Sequence, residues 1–294
     1  MQVILADKAG FCFGVNRAVD TVYREIESGV SPVYTFGPII HNEEVIEDLE
    51  RRGVRVIHTQ DEIKELSGGT VILRSHGVSR AVQEAIENAG LKLVDATCPI
   101  VQKIHTIVES SSDQGYFVLI IGSPDHPEVE GIVGWAHPGQ SQVVSSVEEA
   151  AALDLTGHDR ICVVAQTTFH HKKFQDIVEI IRKKVYDLKG TMAENADFVV
   201  HNTICSATRE RQDAARELSR QADAMIVVGG ASSSNTRKLY EICSENCSNT
   251  YFIQTKEDLV GSDFSAFDCV GITAGASTPN NIIEEVQKYV RDEL

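Results

Sequence analysis

Three times in this chain a short apolar strand runs into a cysteine at the threshold of a helix, and that repetition limits the folds open to it. Gln2-Val3-Ile4-Leu5-Ala6 leads through Gly10-Phe11 to Cys12 and a helix from about residue 14. Leu91 to Val94 leads through Asp95-Ala96-Thr97 to Cys98, and a helix runs from Pro99 to about Glu109. Phe198-Val199-Val200 leads through His201-Asn202-Thr203-Ile204 to Cys205 and a helix from about Ser206. Proline suits a first helical position, where its missing N–H would have had no partner. A cysteine placed after a strand and before a helix sits at the edge where open α/β sheets bind ligands. The positive end of the helix dipole favours a thiolate there.

Between these junctions, short β-rich runs alternate with longer amphipathic patterns, which argues for α/β structure with mainly parallel strands. Strands are expected at Val33–Phe36, Val54–Ile57, Thr70–Leu73 and Leu91–Val94, with helices at about 14–28, 42–52 and 79–89. The order repeats after Cys98 with strands Tyr116–Ile121, Val143-Val144, Ile161–Ala165 and Phe198–Val200, and helices near 128–135 and 170–187. It starts a third time after Cys205 with Met225–Val228, Tyr251–Ile253 and Cys269–Thr273, and helices to about 221, at 234–246 and at 279–292. This third unit lacks a final strand, which the N-terminal strand can supply. The expectation is three similar four-stranded α/β units, residues 13–97, 98–204 and 205–294, the last completed by residues 1–12. They would form a pseudo-threefold, trefoil arrangement, packed together because no linker is rich in Pro, Gly or Ser.

Polar clusters repeat with the same phase. After the first strand of each unit come Gly37-Pro38-Ile39-Ile40-His41-Asn42-Glu43, Gly122-Ser123-Pro124-Asp125-His126-Pro127-Glu128 and Gly230-Ala231-Ser232-Ser233-Ser234-Asn235. His41, His126 and Ser234 lie 29, 28 and 29 residues beyond the preceding cysteine. Ser75-His76-Gly77, Gln166-Thr167-Thr168 and Gly275-Ala276-Ser277 follow the third strands. Three cysteines and two matched polar layers argue for convergence on one centre.

Composition removes other classes. A net charge of −16, from 43 acidic against 27 basic residues, speaks against nucleic-acid binding. No apolar run approaches membrane-span length, and the N-terminus opens on a strand rather than on a charged n-region and h-region, so neither a membrane partner nor a signal peptide is expected. Seven cysteines without a small disulfide framework fit a reducing cytoplasm, with thiols used for metal or catalysis. Cys-x-x-Cys, His-Glu-x-x-His, Walker-type and dinucleotide-type glycine motifs are absent.

Three thiolates around one point indicate a metal or cluster site. Four-iron clusters are usually held by four cysteines, so three would leave one iron open to a substrate. Cys162 and Cys269, inside apolar strands, and Cys243 and Cys247, an i, i+4 pair without histidines at ligand spacing, read instead as small buried hydrophobes. His, Ser, Thr and Asn at helix starts make an anion site, and the Ser233-Ser234-Asn235 cluster fits a phosphate or diphosphate. Taken singly, Ser233 is also a plain helix cap and His41 or His76 a hydrogen-bonded loop histidine. Glu128, at a helix start in the middle layer, is the candidate proton donor. A thiolate-zinc phosphoesterase and a non-catalytic iron–sulfur redox sensor remain alternatives at this point.

Gly10-Phe11-Cys12-Phe13-Gly14-Val15, Ser75-His76-Gly77, Asp95-Ala96-Thr97-Cys98-Pro99, His126-Pro127-Glu128-Val129-Glu130-Gly131, Gln166-Thr167-Thr168, Ser233-Ser234-Asn235 and Thr273-Ala274-Gly275-Ala276-Ser277 together resemble the 4-hydroxy-3-methylbut-2-enyl diphosphate reductases. These are the last enzymes of the methylerythritol phosphate route to isoprenoids. The resemblance covers essentially the whole chain. It implies a three-lobed α/β protein around a central, oxygen-sensitive [4Fe-4S] cluster, whose unligated iron takes the substrate hydroxyl. Two electrons and protons remove that hydroxyl as water, giving isopentenyl and dimethylallyl diphosphates. Carried over by position, Cys12, Cys98 and Cys205 match the cluster ligands. His41, His76, His126, Thr167, Thr168, Ser233, Ser234, Asn235 and Ser277 match the substrate-binding set. Glu128 matches the proton donor, with Thr167 and His126 beside it. Reduced ferredoxin or flavodoxin is the implied electron donor. Phe13 and the Gly229-Gly230-Ala231 run depart from the family pattern without removing a functional position.

Overall fold

The computed structural model describes residues 1–29, 31–189 and 197–293. In chain order its elements are β1 (Gln2–Leu5), α1 (Phe13–Glu27), β2 (Val33–Phe36), α2 (Glu43–Arg51), β3 (Arg55–Ile57), α3 (Gln60–Lys64), β4 (Thr70–Leu73), α4 (Arg80–Asn88) and β5 (Lys92–Asp95). Then come α5 (Pro99–Asp113), β6 (Phe117–Ile121), α6 (Pro127–Val133), β7 (Ser141–Val144), α7 (Val147–Ala152), β8 (Arg160–Ala165), α8 (His171–Lys189) and β9 (Asp197–Val200). The remainder is α9 (Ser206–Ser219), β10 (Ala224–Val228), α10 (Ser234–Ser244), β11 (Thr250–Ile253), a 3-10 turn (Lys256–Leu259), β12 (Cys269–Ala274) and α11 (Asn280–Asp292).

The strands form three four-stranded sheets, β3-β2-β4-β5, β7-β6-β8-β9 and β11-β10-β12-β1, with every pairing parallel. Each sheet has the same spatial order: second strand, first, third, fourth. That order places a topological switch point between the first and third strands, where connections leave in opposite directions and open a crevice at the carboxyl ends.

The chain divides into two compact units. One comprises Met1–Val19, Ile40–Arg51 and Cys205–Leu294, and the other comprises Asp20–Ile39 and Arg52–Ile204.

In the first unit, β10 is buried along its whole length, as a strand covered by helices on both faces must be. Its side chains alternate between two cores. Ile226 and Val228 pack with Val270, Ile272, Phe264 and Val286, whereas Met225 and Val227 pack with Ala215, Leu218, Leu239 and Cys243. Gly271 sits in β12 where Leu218 of α9 comes down. A Cβ there would meet Met225 Sδ at 2.5 Å and Leu218 Cγ at 2.9 Å. The closing strand β1 pairs with β12 from Gln2 opposite Cys269 to Leu5 opposite Ile272.

The second unit holds the other two sheets. Leu119, Ile121, Val163 and Ala165 meet Phe174, Ile177 and Ile181 of α8, while Val118, Ile120, Cys162 and Val164 meet Ile104 and Val108 of α5 and Ile132 of α6. Tyr34, Phe36, Val71 and Leu73 pack with Val82 and Ile86 of α4. Within this unit α6 lies close against the turn after β4. A Cβ on Gly134 would fall 2.2 Å from Ser79 Cβ, and Trp135 Nε1 donates to the Val78 carbonyl at 2.9 Å.

Three short elements lie outside the sequence expectation: α3, α7 and the 3-10 turn. Each follows the second strand of its sheet and carries the same cap. Thr59 accepts from the Glu62 amide while the Glu62 carboxylate accepts from the Thr59 amide. Ser146 caps the Glu149 amide, and Glu149 accepts from the Ser145 amide. Asp258 accepts from the amides of Gln254 and Thr255. Acidic side chains that accept backbone amides at each start hold single turns too short for an apolar period to develop, and at Thr59–Glu62 the capping box is complete. Helix α5 also runs past Glu109. Ser110 Oγ donates back to the Ile107 carbonyl and Ser112 is buried against Gln140, so the serine run continues the helix instead of breaking it.

Candidate active site

All seven cysteines lie outside disulfides. Cys162, Cys243 and Cys247 are buried in the cores, and burial pushes the Cys243 thiol up to about 12, in keeping with small hydrophobes. Cys269 is only partly buried, at the start of β12.

The three junction cysteines are half-buried. Cys98 is the N-cap of α5 and Cys205 the N-cap of α9. The Cys98 amide donates to the Ser75 carbonyl at 3.0 Å and the Cys12 amide to Ala276 at 3.1 Å. In the first unit Cys12 and Cys205 come within electrostatic reach of one another. Burial raises the Cys205 pKa, the Ala207 and Thr208 amides lower it, Cys12 raises it, and the Arg211 guanidinium lowers it. Soft thiol donors at two helix starts fit iron–sulfur or zinc ligation.

The same unit gathers the polar residues that end β10 and β12. Ser277 Oγ donates to the His41 carbonyl at 2.9 Å and lies 3.5 Å from Ser233 Oγ, which caps the Thr236 amide of α10. Ser234 opens that helix. Asn235, 3% exposed, has neither its amide nitrogen nor its oxygen hydrogen-bonded. The orphaned amide nitrogen, a buried donor beside a helix N-terminus, is what an anionic ligand would satisfy.

In the second unit the crevice between β6 and β8 holds Glu128, which is 1% exposed. Its Oε1 accepts from the Thr167 amide at 2.6 Å and its Oε2 from the Thr167 hydroxyl at 2.7 Å. Burial raises its pKa from 4.5 to about 7, against the pull of both Thr167 bonds. His126 caps α6 by accepting the Glu128 amide on Nδ1 at 3.1 Å, which leaves Nε2 to carry the proton of the neutral ring. His76 packs edge-on against His126, ring centroids 5.4 Å apart. Gln166 links the layer, donating to Thr168 Oγ1 at 2.8 Å and accepting from the Ser123 amide at 3.0 Å. A carboxyl poised near neutrality beside a neutral imidazole can hold or deliver a proton.

Two buried arginines, Arg74 and Arg211, are not among the residues that the sequence pattern singles out. Arg74 Nε donates to the Gly77 carbonyl and fixes the turn that bears His76. Helical spacing offered a signal for Arg211, because it lies in the buried stripe of Thr208, Gln212, Ala215 and Leu218.

Known proteins give the same picture. A family profile described as LytB protein matches residues 3–291. The 4-hydroxy-3-methylbut-2-enyl diphosphate reductase of Thermoanaerobacter sp. (strain X514) is 44% identical over 292 residues, covering 99% of this chain and 97% of the relative. A solved structure of (E)-4-hydroxy-3-methyl-but-2-enyl diphosphate reductase, described as the terminal enzyme of the non-mevalonate pathway, is 41% identical with a TM-score of 0.69, covering 99% of this chain and all of the other. The reductase structure from Plasmodium falciparum is 29% identical with a TM-score of 0.87, covering 99% of this chain and 87% of that one. Fold, thiol junctions and relatives define an enzyme of the oxidoreductase class. The chain belongs to the LytB protein family, that of the 4-hydroxy-3-methylbut-2-enyl diphosphate reductases.

Proposed function

We propose that this protein reductively removes the hydroxyl of 4-hydroxy-3-methylbut-2-enyl diphosphate, as the last step of the methylerythritol phosphate pathway in the cytoplasm. Two electrons and two protons enter, the C–O bond breaks, and water leaves with isopentenyl or dimethylallyl diphosphate as product. A [4Fe-4S] cluster on Cys12, Cys98 and Cys205 supplies an iron with an open coordination position and a path for the electrons. Reduced ferredoxin or flavodoxin is the proposed donor.

The chain's own residues do the rest. Ser233, Ser234, Asn235 and Ser277, with His41, His76 and His126, bind the diphosphate through neutral donors and a helix N-terminus. Anchoring that end fixes the hydroxyl end, so that cleavage becomes effectively intramolecular. Glu128 keeps its proton near neutral pH because its site is dry, and releases it to the departing hydroxyl. Thr167 orients that carboxyl with its amide and hydroxyl, and Thr168 completes the pocket wall.

The observation that carries this reading is the buried Glu128–Thr167 pair, a proton donor for which a non-catalytic redox sensor has no use. Iron and acid-labile sulfide are to be counted after anaerobic purification, followed by turnover with an artificial electron donor. About four of each per chain is expected, with Cys98→Ser losing the intact cluster. Zinc without sulfide would sink the reductase reading in favour of the hydrolase. A loaded cluster without turnover would favour the sensor.

A further inference from the structure

Arg211 is a buried cation with no carboxylate at ion-pair distance among the described residues. Its Nη2 donates to the Gly10 carbonyl at 2.7 Å, its Nη1 to the Ala207 carbonyl at 2.9 Å, and its Nε has no partner. Such a charge is retained only where something compensates it. The ionisable groups within electrostatic reach of it are the thiols of Cys12 and Cys205, which compensate it once deprotonated, and the neighbouring Glu210. The bonds also have a mechanical sense. Gly10 opens the loop to Cys12 in the left-handed region at φ 93°, and a Cβ there would strike Asn280 Oδ1 at 2.6 Å. Ala207 lies in the first turn of the helix that begins at Cys205. One guanidinium therefore ties the loop of one thiol to the helix of the other.

We propose that Arg211 is a positioning residue with a second role as a fixed counter-charge. It sets the spacing of the Cys12 and Cys205 thiolates and raises the reduction potential of the cluster they hold. This rests on the cluster reading above. Reduction places one more negative charge on the cluster, and a fixed cation in a water-poor site stabilises that added charge with little screening. Lysine would keep the charge and lose the planar fork, whereas glutamine would lose the charge and keep polar atoms.

The test is a redox titration of anaerobically loaded wild-type, Arg211→Lys and Arg211→Gln proteins, followed by visible absorbance and electron paramagnetic resonance. Circular dichroism and iron counts accompany each titration. Arg211→Gln is expected to shift the one-electron reduction equilibrium at least about tenfold toward the oxidised form, about 59 mV. Arg211→Lys should stay within a few-fold of wild type. If Arg211→Gln folds but does not hold iron while Arg211→Lys does, the counter-charge role is again supported. A loaded Arg211→Gln with the wild-type potential would overturn the inference, as would equal loss of iron in both variants. No cluster in the wild-type protein would overturn the underlying reading, and this inference with it.

Discussion

Replacing Glu128 by Gln separates its chemistry from its packing. A carboxamide fits the same space: its oxygen accepts from the Thr167 amide as Oε1 does now, and its nitrogen donates to the Thr167 hydroxyl. What is lost is the transferable proton. General acid catalysis contributes roughly 10²–10⁴-fold, so kcat should fall by that factor while the cluster stays loaded and KM changes little. The variant should also alter stability against pH. Burial raises the Glu128 pKa from 4.5 to about 7, so the fold favours the neutral acid. That stabilisation is complete below pH 4.5 and is lost as pH rises through about 7. At about 1.4 kcal/mol per pKa unit, the wild type should lose on the order of 3 kcal/mol between pH 4 and pH 8 that Glu128→Gln does not lose. Urea unfolding across that range reads the difference, and turnover with an artificial donor reads the proton. Near-wild-type kcat in a fully loaded variant, or parallel stability profiles, would refute the argument.

Thr167→Val removes the hydroxyl that draws the Glu128 pKa down. The alkaline limb of the kcat–pH profile should move to higher pH; an unchanged limb would separate Thr167 from the proton donor. Asn235→Leu should raise the melting temperature of the ligand-free protein, because each unsatisfied buried polar atom costs about 1–3 kcal/mol. The same change should raise KM for the diphosphate at least about tenfold, and a lower melting temperature would show that the amide has a structural partner. Gly134→Ala drives a Cβ to 2.9 Å from the Ser79 backbone, which no rotamer relieves. A loss of about 1–3 kcal/mol in denaturant unfolding is expected, and a neutral result would mean that α6 shifts freely.

Much of this architecture is legible in the sequence. β10 announces itself because a run such as Ala224–Val228 must be covered on both faces. The proposed site residues stand out through phase, since His126 and Ser234 fall at matched distances from the preceding cysteine. What the pattern lacked was anything set by tertiary contact. α3 and α7 are single turns with one buried face residue each, Ile63 and Ala150, so their only signature is the Thr59–Glu62 or Ser146–Glu149 cap. The extension of α5 depends on Ser112 meeting Gln140. Arg211 reads as an exposed helix cation until its bond to the Gly10 carbonyl is seen.

The pairing of β1 with β12 has a consequence for the newly made protein. Gln2 leaves the ribosome long before its partner Cys269 does. At about 5–20 residues per second, the first strand and its cysteine wait on the order of tens of seconds for the edge they dock on. The other two sheets can close as soon as their own segments are translated. The seat of Cys12 beside the helix that begins at Cys205 is thus completed only once β12 has been made.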